Sequence, residues 1–276
     1  MAANVPDAVV MGVINVTPDS FSDGGQWLDP AAAAAHGREL VAQGAAILDV
    51  GGESTRPGAQ PVKQAEELAR VVPVIERLAG AGARLSIDTS KAAVAAAALD
   101  AGASIVNDVT ALRGDPAMAA LIAERRCDCC LMHMLGEPRT MQSDPRYDDD
   151  VVDDVKAFLA QRLEFALAQG IAAKRIWLDP GIGFGKTVDH NLELLARLNE
   201  LVAIGRPLVV GTSRKSLLGR LTGRRADSRL PGTIATNVLA LAAGAHVFRV
   251  HDVAEVADAL TVARAVLAGQ GPPGEG

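Results

Sequence analysis

Eight short apolar runs along the chain each end in a polar residue. They are VVMGVIN at Asn15, AAILDVGGE at Asp49, RLSID at Asp88, SIVND at Asn107, CDCCLMH at His133, RIWLD at Asp179, LVVGTS at Ser213, and HVFRVH at Arg249 and His251. A buried strand disfavours such tips unless something binds them. Between the runs lie helical patterns at about 30–43, 64–80, 91–101, 116–126, 149–169, 190–203, 231–243 and 254–268, with a shorter one at 214–221. Strands separated by helices predict parallel pairing through crossovers. Polar residues at the C-terminal ends of all eight strands predict an α/β fold, the (β/α)8 TIM barrel, with its ligand groups on one rim. A doubly wound open sheet would gather them at one switch point instead.

Element boundaries are partly legible. Asp29-Pro30 and Asp115-Pro116 each set a capping carboxylate before a proline at the first helical position, and Ser90 can cap the helix beginning near Lys91. Gly44, Gly102, Gly170 and Gly244 follow helices as left-handed C-caps would. No composition break divides the 276 residues, so one domain is expected, with the barrel over about 9–268 and a disordered tail at 269–276. Aromatic residues make up only 3% of the chain, so Ala, Val, Leu and Ile must build the core.

Composition then narrows the function class. A formal net charge of −6 without a basic stripe argues against a nucleic-acid partner. No apolar run is long enough for a membrane span, and MAANVPD is not a secretory signal. Cys127, Cys129 and Cys130 are odd in number, lack zinc-site spacing and sit in a strand; they suit a reducing cytoplasm. A cytoplasmic enzyme is the expectation.

Three loops after strands are rich in Gly, Pro, Ser and Thr: residues 15–25, 51–59 and 179–186. The first two read as lids. Gly181 to Thr187 imitates a phosphate-binding loop, but Pro180 stands where that motif needs its first glycine. Its glycines are instead expected to let backbone approach a flat ligand beside Phe184. Cations gather late, in Ser213-Arg214-Lys215-Ser216 and in Arg249-Val250-His251, where Arg249 and His251 share a strand face. Loops after the seventh and eighth barrel strands often bind phosphate, and this set suits diphosphate. Arg220, Arg224, Arg225 and Arg229 read as a solvated cluster.

Asp88, Asn107 and Asp179 would offer two carboxylates and an amide to a heterocycle edge carrying several N–H donors; paired carboxylates also suit acid–base chemistry or a metal. The run Asp148 to Asp150 with Asp153 and Asp154 reads as a helix start. His36 and His190 are expected on helix surfaces, and His246 at the barrel end away from the chemistry. His133 has no evident partner.

The pieces NVTPDSFSDGG, DVGGESTRPGA, SIDTS, IVNDV, LMHM, LDPGIGFGK, SRKS and RVHD occur in order from residue 15 to 252. Together they closely resemble the dihydropteroate synthase family. That resemblance implies a (β/α)8 barrel, a homodimer and a place in folate biosynthesis as the sulfonamide target. The implied reaction joins 4-aminobenzoate to 6-hydroxymethyl-7,8-dihydropterin diphosphate with Mg²⁺, releasing diphosphate. It further implies that Asp88, Asn107, Asp179 and Lys215 hold the pterin, that Asn15 helps hold Mg²⁺, and that Arg249, His251 and Asn15 grip the diphosphate. Thr55, Arg56, Pro57, Phe21, Phe184 and Ser213 would frame the 4-aminobenzoate pocket. Lys215, Arg249, His251, Asp88 and Asp179 are thus the expected catalytic set. A pterin-dependent methyltransferase on the same barrel, or a binding protein without turnover, are the alternatives.

Overall fold

A computed structural model describes residues 7–17, 29–55, 58–137, 140–148 and 150–269. Eight parallel strands run β1 (Val9–Asn15), β2 (Ile47–Gly51), β3 (Arg84–Asp88), β4 (Ile105–Asp108), β5 (Asp128–Met132), β6 (Ile176–Asp179), β7 (Val209–Val210) and β8 (Val247–Val250). Their order in the sheet is β6-β5-β4-β3-β2-β1-β8-β7. A single bridge from Leu178 to Leu208, with Leu178 N donating to Pro207 O at 2.9 Å, joins the two ends into a barrel.

Helices α1 (Pro30–Ala42), α2 (Gln64–Leu78), α3 (Ala92–Asp100), α4 (Met118–Arg125), α5 (Val151–Ala168), α6 (Val188–Ala196), α7 (Leu198–Val202), α8 (Ser216–Thr222), α9 (Leu230–Ala242) and α10 (Val253–Ala268) cover the strands. The pattern predicted at 190–203 is two helices, because the chain turns at Arg197. Asp29 caps α1 as expected, its carboxylate accepting from Ala31 N at 3.1 Å. Asp150 likewise caps α5, accepting from Val152 N at 2.7 Å. Gly44, Gly102, Gly170 and Gly244 all have positive φ beyond their helices.

Ser90 does not cap α3. The N-terminus of that helix is instead held by Asp115, whose Oδ2 accepts from Ala92 N at 2.9 Å while Oδ1 accepts from Ala117 N at 2.9 Å. One carboxylate therefore serves two successive units. His190 does more than cover a surface: with Thr187 it forms a reciprocal cap on α6.

Strand parity divides the interior. One face of each strand packs on the helices, where Leu48, Val50, Ile87, Val106, Leu131, Leu178, Val210 and Phe248 share one large cluster. The opposite face points down the barrel axis, where Met11, Ile47, Ile105, Cys130, Trp177, Val209 and Val247 form a separate plug. The plug seals the barrel centre below the rim. All three cysteines are free and buried, Cys130 within the plug, and burial pushes their thiols up, which leaves them inert.

Candidate active site

Continuing the plug's parity upward, with a period of two, brings Asn15, Asp49, Asp88, Asn107, Asp179, Ser213, Arg249 and His251 to the inner face. Asp88 pairs in register with Gly51 on one side and Asn107 on the other. Parity therefore puts seven of the eight expected tips on the inner face, with Asp49 opposite Ser86, one step below Asp88.

His133 is the exception. Met132 takes the inward position beside Asp179, so His133 faces the helices. Its Nδ1 lies 2.8 Å from Lys186 Nζ, and its ring meets Phe158 edge-on at 4.8 Å. Burial, then the nearby Lys186 charge, pushes His133 down to about 2. It is a neutral acceptor that fixes Lys186. Sequence order alone does not reveal this, because the residue follows the last strand position.

Charge on the ring is paired across the barrel. Arg249 Nε donates to Asp49 Oδ2 at 2.7 Å, and its Nη2 to Asp88 Oδ2 at 2.8 Å. Asn107 Nδ2 donates to the same Asp49 oxygen at 3.1 Å. Burial pushes the Asp88 carboxyl up to about 7 against the opposing pull of Arg249. It also raises Asp179, whose Oδ1 accepts from Gly181 N at 2.6 Å. Asp88 is thus no helix cap; it is half of a transverse ion pair.

Lys215 reaches over the rim, 4.8 Å from the Phe184 ring centre, and donates to Ile182 O. Burial pushes its ammonium down to about 8, with Asp179 opposing. Ser213 Oγ and His251 Nδ1 are 3.0 Å apart. Arg214 turns away, at φ 57°, to pair with Asp252 at the base of α10, Nε to Oδ2 at 3.0 Å. Of the late cationic cluster, Lys215 and Arg249 thus share the rim, while Arg214 ties β7 to β8.

The glycines of 179–186 divide in role: a Cβ on Gly183 would meet Lys215 Cδ at 3.2 Å, on the rim, whereas Gly181 and Gly185 face the chain after β5. A Cβ on Gly181 would lie 1.9 Å from His133 O, and one on Gly185 2.6 Å from Leu135 O. They permit close packing against the segment after β5, where the buried Lys186 donates to Gly181 O and Phe184 O, both at 3.0 Å. Arg229 is no solvated bystander: it donates to Arg214 O at 2.8 Å and lies against Gly219.

A cavity of about 520 Å³ opens beside Asp88, lined among others by Thr55, Ser54, Thr89, Val109 and Met134. Phe184 packs with Val109, Met132, Met134 and Met141 into a small apolar wall. Neither motif nor composition reveals this wall, although strand parity puts Met132 inside. Asp49 is not among the predicted site residues. Glu53, in the loop after β2, is held by Lys91, which also bonds Glu67 at 2.5 Å. Phe21, Arg56 and Pro57 lie outside the described residues. Asn15 ends β1 on the inner face, and no group of three or more His, Cys, Asp or Glu among the described residues could cage a metal.

The profile of the pterin binding enzyme family matches residues 11–251. The chain is 46% identical over 259 residues to the dihydropteroate synthase of Escherichia coli K12, covering 94% of this chain and 91% of that protein. The Yersinia pestis dihydropteroate synthase, crystallised in a sulfonamide drug complex, superposes with a TM-score of 0.91 at 45% identity, covering 94% of each chain. The Xanthomonas albilineans dihydropteroate synthase in complex with 7,8-dihydropteroate gives a TM-score of 0.84 at 44% identity, covering 95% of each. Eight parallel strands, a ring of inward acceptors and cations, and this likeness along almost the whole chain agree. The chain belongs to the pterin binding enzyme family, among its dihydropteroate synthases.

Proposed function

We propose that the ring joins 4-aminobenzoate to the methylene of 6-hydroxymethyl-7,8-dihydropterin diphosphate. The supporting observation is the convergence on one rim of acceptors (Asp88, Asn107, Asp179) and cations (Lys215, Arg249). The acceptors suit the N–H edge of a pterin bounded by the Val109–Met132–Phe184 wall. Arg249, with His251 and Asn15, suits the departing diphosphate, a site that a pterin-dependent methyltransferase would not need. Thr55, Phe184 and Ser213 are assigned to the 4-aminobenzoate pocket, as are Arg56, Pro57 and Phe21, which lie outside the described residues.

An aniline nitrogen is neutral at physiological pH, so no strong base is required. The difficult step is loss of diphosphate, which leaves positive charge on the pterin. Ionised Asp88 and Asp179 stabilise that charge, and Arg249 and His251 stabilise the leaving anion. Exclusion of water from the site protects the cation. Asn15 offers one neutral oxygen, which fits Mg²⁺ arriving with substrate phosphates better than a resident ion. When bound, the metal neutralises phosphate charge. No covalent bond to the protein forms.

Incubation with both substrates and Mg²⁺ should release diphosphate and form 7,8-dihydropteroate. Arg249→Ala or Lys215→Ala should lower kcat/KM by on the order of 100- to 1,000-fold, as loss of one preorganised electrostatic donor does. Arg224→Ala, on the exposed loop, should not. Equal activity in all three variants would refute the assignment.

We also propose a cytoplasmic homodimer. Leu239 on α9 with Val262 and Val266 on α10 are 66%, 64% and 74% exposed, an apolar surface suited to a second copy. Sedimentation should give a dimer, and Val266→Asp should shift it towards monomer.

A further inference from the structure

Asp49 lies one step below the ring, fully buried, with Oδ2 shared by Asn107 and Arg249. Its other oxygen, Oδ1, has no hydrogen-bond partner among the described residues, nor has the buried hydroxyl of Ser86 on the neighbouring strand. A carboxylate left half-satisfied in a barrel interior is a costly way to fill space. It can do one thing that an apolar residue cannot. An ionised carboxylate only accepts, so the Asn107 atom facing it must be the amide nitrogen. The Asn107 carbonyl then points away from Asp49, as an acceptor for a ligand.

We propose that Asp49 is a positioning residue: its charge fixes which way the Asn107 amide points and anchors the Arg249 guanidinium, so that the ring presents a defined donor–acceptor pattern. An amide at position 49 has both an acceptor and a donor face. It could let Asn107 flip and present its nitrogen to the ligand. Asp49 itself touches neither substrate in this arrangement. The inference rests on the proposed function, because it assigns the pattern to recognition of the pterin edge.

The test is Asp49→Asn, which keeps volume and shape but removes the charge. Pterin diphosphate binding by calorimetry should weaken, and kcat/KM for that substrate should fall, each by on the order of 10- to 100-fold, as loss of a supporting contact behind a binding group does. KM for 4-aminobenzoate and the thermal midpoint should stay near wild type. A cycle with Asn107→Ala should be non-additive, since the two act through one contact. Unchanged pterin binding and turnover in Asp49→Asn, or strict additivity in the cycle, would overturn the proposal. If that variant does not fold, a structure of the unaltered protein with bound pterin decides. Asn107 Nδ2 on Asp49 with its oxygen on the ligand supports the proposal, and the reverse orientation refutes it. Absence of dihydropteroate formation by the unaltered protein would instead refute the reaction itself, which separates the two failures.

Discussion

Asp88 and Lys215 titrate towards each other across the ring. Burial raises Asp88 to about 7 and lowers Lys215 to about 8. The carboxylate must be ionised to accept from the pterin, and the ammonium protonated to donate. As pH falls through about 7 the first condition fails, and as it rises through about 8 the second fails. A plot of kcat/KM against pH should therefore be a narrow bell, reporting these groups in the free protein. Lys215→Arg, charged at all accessible pH, should lose the alkaline limb, although its lower overall rate will reflect the different shape of the group. A limb that persists unchanged would reassign it to another residue.

Gly181 offers a second residue-scale test. With φ at 64° and no room for a Cβ against His133 O, Gly181→Ala should cost about 3 kcal/mol or more in denaturant unfolding. Gly58→Ala, also at positive φ but with nothing within 4 Å, should cost only about 1 kcal/mol. Similar losses at both positions would mean that backbone strain, rather than the contact with His133, governs the loop.

Among elements, the shared cap at Asp115 is the detail that local sequence could not supply. Asp115→Ala should cost about 1 kcal/mol or more, since it frees Ala92 N and Ala117 N together, whereas Ser90→Ala should be nearly silent. Reversal of that order by thermal or chemical unfolding would restore the local cap. Ser90 was the natural choice because capping is usually read from the residue just before a helix, while Asp115 arrives from the following βα unit. The same distinction explains what was legible elsewhere. Strand ends, helices and the inward partners Asp88, Asn107, Asp179 and Arg249 follow from periodicity along the chain. The outward turn of His133, the withdrawal of Arg214 to Asp252 and the burial of Lys186 depend on contacts between units. Asp49 is visible as a strand ending, but its part in the site depends on its bond to Arg249, 200 residues away in sequence.

At the scale of the whole molecule the barrel is unevenly sewn. Strands β1 and β2 share five residue pairs, whereas β6 meets β7 through one bridge, and β7 has only two residues. Few ladder bonds mean a low local opening cost, so the amide of Leu178 should exchange with solvent faster than those of β1 to β3. Slower exchange there would point to support from the surrounding helices rather than from the ladder.

That thin joint has a further consequence. Directly above it, Lys215 from the β7 side grasps Ile182 O on the β6 side and stacks over Phe184. A ligand lodged between those two groups would act as a clasp across the very seam that hydrogen bonding leaves loose. Occupancy and closure then become a single equilibrium: whatever fills the rim tightens the hoop, and amide protection at Leu178 should rise in step with saturation.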